Sequence, residues 1–208
     1  MMRIIIMMKI ILNYADTIKK IFAVSLMALI FSGCTTFEPA KINKKTGYID
    51  SVFKSKPTIT KKIQVKQYKQ MALVVMGDDL KDSYKLFWID SIKNLNYFNR
   101  VVDKERLDQW IFQKGFQDRA PGSTDPIALY KLFKLVGNFL IIKPTLYMEE
   151  NWYVAKLQVI TPQNNEIVFE VKDTAKNIGG LDQPLLYPML NSFIKWMSDN
   201  DQDYNPRH

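Results

Sequence analysis

The 208-residue chain is 47% hydrophobic, 24% charged and 12% aromatic, enough apolar content to fill a core, and its 8 Gly and 9 Pro exclude collagen-like and low-complexity architectures. One Cys excludes a disulfide framework and a multi-cysteine metal site, and one His, the terminal His208, removes most zinc, haem and His-base chemistry. The formal charge of +8 would point to nucleic acid or anionic lipid only if it sat on a folded face.

The chain opens with an address. Lys19 and Lys20 precede the apolar run Ile21–Phe31, and the small residues Ser32 and Gly33 lead to the lone Cys34. A basic step, a short apolar run and a small-residue exit predict a secretory signal peptide over residues 1–33, cut after Gly33. An 11-residue run is too short for a bilayer-spanning helix, which needs about 20 residues. Met7-Met8 offers a second start for this leader.

Phe31-Ser32-Gly33-Cys34 resembles the lipobox of bacterial lipoproteins. The resemblance implies cleavage before Cys34, acylation of that Cys, and anchoring of the chain in lipid; Phe31 departs from the Leu the family prefers. Thr35, where an Asp would imply retention in the inner membrane, implies transfer to the periplasmic face of the outer membrane. The competing reading keeps Cys34 as an ordinary cysteine beside a cleaved signal or inside an anchor. Several acyl chains hold stably where one holds only marginally.

Residues 34–70 carry nine lysines against Glu38 and Asp50, whereas residues 71–208 carry 16 Lys+Arg against 18 Asp+Glu. The basic excess therefore belongs to the leading segment, which argues against a nucleic-acid-binding body. Residues 35–61 show no sustained period, contain Pro39, Gly47 and Pro57, and read as a solvated tether, with one ordered piece at residues 48–53. The reading assigns 34–62 to the lipidated Cys and its basic tether, with a reach of about 90 Å when extended.

From Ile63 to Met76 the pattern reads as a strand whose later part is buried on both faces. Gly77-Asp78-Asp79 reads as a turn, and Leu80, Tyr84, Phe87, Trp88, Ile92 and Leu95 fall at helical spacing. A short strand over 98–102 leads to Asp103, a good N-cap for a helix carrying Leu107, Trp110 and Ile111 and ending near Gly115. After a polar loop, Asp125-Pro126 starts a helix that Gly137 stops. Strands follow over 139–148, 152–161 and 166–172, joined by the turns 149–151 and 162–165, with Ile167, Phe169 and Val171 on one face of the last. A loop over 173–182, a helix over about 183–198 and a frayed tail at 199–208 complete the chain. The order is β-α-β-α-α-β-β-β-α: an α/β domain over 63–198, a three-layer-like sandwich of a mixed sheet with packed helices.

Phe98…Val101-Val102 leading into Asp103-Lys-Glu-Arg-Leu-Asp108, and Gly137-Asn-Phe-Leu-Ile141 opening a strand, resemble the periplasmic domain family that includes CsgG, LpoB and the N-terminal domain of TolB. These motifs are structural and carry no chemistry. The resemblance implies a non-enzymatic binding module, as LpoB-like proteins regulate peptidoglycan synthesis through a protein partner. The alternative it implies is a ring-forming accessory subunit of an export system, as in CsgG and PelC. The chain is too short for the membrane hairpins of CsgG.

No nucleotide-binding or metalloprotease motif occurs, so no cofactor, metal or catalytic residue is expected. Asp78-Asp79 and Glu149-Glu150 read as caps and solvated turns rather than a carboxylate pair across a cleft. Trp88 and Trp110 lie on helical stripes and read as core. Trp152-Tyr153, beside a turn, is the expected partner contact, and Gly179-Gly180 marks a turned or mobile loop. Expected partners are thus outer-membrane lipid through acylated Cys34, an envelope protein, and in the alternative further copies of the chain.

Overall fold

In a computed structural model the described residues are 37–77, 80–113, 115, 126–176 and 180–207. Gly33, Cys34 and the signal segment, Asp78-Asp79, the loop over 116–125 with the Asp125 cap, Gly179 and His208 lie outside them.

Strands β1 (Ile42–Asn43), β2 (Tyr48–Ile49) and β3 (Pro57–Thr60) come first, then a 3-10 turn, Val65–Tyr68. Next are β4 (Ala72–Val74), α1 (Asp82–Asn94), β5 (Val101–Val102), α2 (Lys104–Gln113) and α3 (Pro126–Val136). The meander β6 (Leu140–Glu149), β7 (Trp152–Thr161) and β8 (Glu166–Ala175) leads through a π-helical turn, Asp182–Leu186, into α4 (Tyr187–Asn200). β1 and β2 form a separate two-stranded ribbon, while the main sheet has six strands in the order β3-β8-β7-β6-β4-β5. It is mixed: β4 lies parallel to both β5 and β6, and β6, β7, β8 and β3 are antiparallel neighbours.

The protein is an α/β sandwich with a helical layer on each side of this sheet. Alternation along the strands divides the core: Ala72, Val74, Leu140 and Ile142 face α1 and α4, whereas Leu73 and Ile141 face α2 and α3. The strand after two helices does pair beside the first, Leu73 opposite Ile141, as chain order suggests. Asp103 caps α2 as expected, its Oδ1 accepting the Arg106 N–H at 2.8 Å. Gly137, at φ +84°, stops α3 by taking the left-handed conformation that ends helices.

The tether expectation is corrected. The compact unit runs from Thr36 to His208, so the domain begins not at 63 but next to the cysteine. Phe37 packs edge-on to Tyr84 with ring centroids 5.4 Å apart, Ala40 is 2% exposed, and β3 adds an edge strand to the sheet. The physical reason is long-range pairing: Thr60 lies opposite Phe169, over a hundred residues away, and the short apolar stretches of 37–60 bury only against α1 and α4. The tail is corrected likewise. Asp201 is buried, Tyr204 packs against Tyr97 at 4.8 Å, and Lys66 pairs with Asp203.

Smaller differences have local causes. The expected strand from Ile63 contains the 3-10 turn and narrows to three residues. β8 runs to Ala175, three residues beyond expectation, because β7 pairs with it through Ala155, Val154 and Tyr153. Val159 pairs with Phe169 but Ile160 with Ile167, so Val168 is a bulge residue. The bulge turns Val168 inward, beside Phe169, and leaves Ile167 half-buried, breaking the expected alternation.

Candidate docking surface

Each expected site residue can be placed except Gly33 and Cys34. Trp152 opens β7 opposite Glu149, closing a two-residue hairpin loop in which Glu150 takes φ +54°. Trp152 is half-exposed, and the Lys176 ammonium stands 4.9 Å from its ring centroid. Tyr153, by strand alternation, points to the opposite face and packs against the core beneath α1 and α4. The structure therefore does not bring Trp152 and Tyr153 together, and Tyr153 is half-buried where Trp152 is open. Of the two helical tryptophans, Trp88 is fully buried, while Trp110 is half-buried under the Arg100 guanidinium, 5.2 Å from its ring.

The end of the sheet carrying Trp152 is unusually apolar. Met148 pairs with Tyr153, and Tyr153 with Ala175, so the β6–β7 hairpin tip and the end of β8 lie level. The chain entering β3 reaches the same level. Pro57 pairs with Val171 and Ser55 Oγ donates to Asp173 Oδ2 at 2.7 Å, which carries Phe53 to the height of Ala175. Val52 (88% exposed), Phe53 (51%), Met148 (65%), Tyr147 and Trp152 thus crowd one end. Only Trp152 stands out in the sequence, because the other four are brought to this level by strand register, Met148 on the face of its partner Tyr153 and Tyr147 on that of Trp152.

The chain enters the domain at this end. The Glu38 N–H donates to Asp182 Oδ2 at 3.1 Å, and the Tyr187 hydroxyl donates to the Glu38 carbonyl. One residue on, the Gln183 carbonyl accepts from Ser51 Oγ at 3.2 Å, so Glu38 and Ser51 flank one turn. Burial pushes the Asp182 carboxyl above its usual range despite the Glu38 N–H.

Two grooves hold polar side chains. One, of about 390 Å³, lies between β3 and α4 and holds Ser55, Ser192, Lys61 and Lys195. Ser192 Oγ lies 2.6 Å from the Ser55 carbonyl and 3.1 Å from that of Pro188, and Lys195 is paired with Asp199 at 2.9 Å. Lys61 beside Glu166 holds that carboxyl below its usual range at 2.7 Å. Neither lysine is set as a base for a serine. The other groove, of about 360 Å³, lies where β4 and β5 end, lined by Val74, Met76, Asp103, Lys104 and Asp108. Its Lys104 is paired with Asp108 at 3.3 Å, and Asp103 is spent on the α2 cap. Among the described residues no group of His, Cys, Asp and Glu could hold a metal ion, and no helix is long and apolar enough to cross a membrane.

No family model and no curated protein matches the chain. Among solved structures, the C-terminal domain of LpoB from Salmonella enterica is similar at TM-score 0.37 and 14% identity, covering 53% of this chain and 85% of that one. The lipoprotein GNA1162 from Neisseria meningitidis is similar at TM-score 0.34 and 18% identity, over 62% and 96% of the two chains. A PelC dodecamer from Paraburkholderia phytofirmans gives TM-score 0.32 and 12% identity, over 69% and 95%.

Proposed function

We propose that this chain is a non-enzymatic binding module of the bacterial envelope, carried on the periplasmic face of the outer membrane by an acylated Cys34. The observation that supports it most is the sequence Phe31-Ser32-Gly33-Cys34 at the end of the apolar run, with Cys34 three positions before Phe37, which packs on the domain. Neither groove presents a nucleophile with a base, and the sequence holds one His. In this reading the lipid fixes one end, and a surface of the α/β domain biases an envelope protein, in the manner the LpoB-like resemblance implies for a regulator of peptidoglycan synthesis. The two-residue link Thr35-Thr36 keeps the domain at the membrane, so the partner comes to it.

A second reading, a ring-forming accessory of an export system, is favoured by one feature. Ile127 and Tyr130 on α3 are exposed on the outer helical layer, large apolar side chains suited to self-association.

Crosslinking in intact cells, followed by mass spectrometry of the purified lipidated chain, tests both. A defined envelope partner crosslinked to a monomeric chain supports the first reading, and a ladder of homo-oligomers supports the second. Cys34→Ser blocks acylation and leaves an uncleaved precursor if the anchor is as proposed. A mutant that matures and stays membrane-bound overturns it.

A further inference from the structure

We infer that the apolar end of the sheet is a second membrane contact, which seats the domain on the bilayer surface beside its lipid anchor. This rests on the proposed acylation of Cys34. Two residues, Thr35 and Thr36, separate Cys34 from Phe37, a span of at most about 11 Å, which is comparable to the depth of the headgroup layer. Phe37 is fixed in the core against Tyr84 and Phe87, so the domain cannot swing away from the anchor on a long leash.

Whatever surface surrounds that entry point must therefore lie near the lipid. Glu38 is bonded to Asp182 and Ser51 to Gln183, which places Val52 and Phe53 beside the entry. The β6–β7 tip, with Met148 and Trp152, lies at the same end. Exposed aliphatic groups cost free energy in water and lose that cost in a bilayer interface, where tryptophan and tyrosine settle with their polar edges wet. Outside a membrane, Val52 at 88% exposure has nothing to cover it among the described residues.

Charge does not drive the contact. Lys54 and Lys56 flank Ser55, Lys172 pairs across to Lys156 and Lys176 stands over Trp152, while Asp173, Glu149, Glu150, Glu38 and Asp182 supply five carboxylates at this end. The near balance makes attachment apolar, and so insensitive to salt.

The test uses the full chain extracted from membranes. Its acylation is checked by intact mass, and it is reconstituted into phosphatidylethanolamine–phosphatidylglycerol vesicles brominated high on the acyl chains. Trp88 and Trp196 are buried in the domain, and a Trp110→Phe background removes the half-buried Trp110, so lipid quenching should act chiefly on Trp152. The expected result is bromolipid quenching that Trp152→Phe largely abolishes. A Val52→Ser/Phe53→Ser variant should lower it at least twofold, and it should persist in high salt. An acylated chain whose Trp152 emission ignores brominated lipid but responds to aqueous iodide overturns the inference and leaves this end open to a protein partner. A chain without acyl mass overturns the lipoprotein reading first, and the inference with it.

Discussion

The backbone N–H of Ala40 donates to Ser91 Oγ at 2.8 Å inside the protein, joining the leading segment to the middle of α1. Asn94 Nδ2 adds a bond to the Ala40 carbonyl, so both polar groups of one backbone unit are satisfied by α1. Ser91→Ala would strand a buried N–H, at a cost of about 1–3 kcal/mol. Urea melts of the chain from residue 36 check this. Removing residues 37–60 should abolish cooperative unfolding, because that deletion takes Phe37, Ala40, Ile49 and the whole of β3 from the core.

The tryptophans separate by burial. Trp88 is fully enclosed by Tyr84 and Phe87, and Trp88→Ala should cost about 3–5 kcal/mol, a large share of a domain's stability. Trp152→Ala removes a half-exposed ring and should cost well under half as much. Thermal melts of the two variants decide it. Equal loss at both sites would make Trp152 a core residue.

Alkaline pH should destabilise the fold. The Tyr97 hydroxyl is pushed well above its ordinary value of 10.0, first by burial and then by its 2.8 Å bond to Asp201. Burial raises Tyr84 and Tyr204 in the same direction. A phenol with a raised folded pKa keeps its proton while the unfolded chain loses it. Stability is then intact below pH 10.0 and falls as pH rises through that value. Denaturant midpoints between pH 8 and 11 should drop, and Tyr97→Phe should flatten the decline.

The α2 cap is testable alone. Asp103→Ala removes the acceptor for the Arg106 N–H and should cost about 1 kcal/mol, whereas Asp103→Ser should cost much less. Urea midpoints of the two variants give the difference. Equal losses would show that the carboxylate, rather than the capping geometry, matters.

What could be read along the chain was what local chemistry decides. The bounds of β7, the Asp103 cap and the Gly137 stop each depend on residues within one turn or one strand of themselves. The order of elements then admitted the parallel pairing of β4 with β6 and the antiparallel meander. The apolar docking end was half legible: the turn at 149–151 marked Trp152, and strict alternation already implied that Tyr153 would face the other way.

The leading segment depends on contacts that no local pattern announces. Ile49 gives its N–H to Asn191 Oδ1 at 2.7 Å and its carbonyl accepts from Asn191 Nδ2 at 2.8 Å, so a side chain of α4 bonds the edge of β2 that lacks a second strand. Its sequence, Tyr48-Ile49-Asp50, has too little apolar repetition to show this. Likewise Pro57 is tolerated in β3 because β3 is an edge strand and begins at that residue. Lysines and prolines made residues 35–61 look like a tether by composition. Pairing with β8 and burial against α1 and α4 make residues 37–60 part of the domain, because free energy follows the partners a residue finds in space rather than its neighbours in sequence.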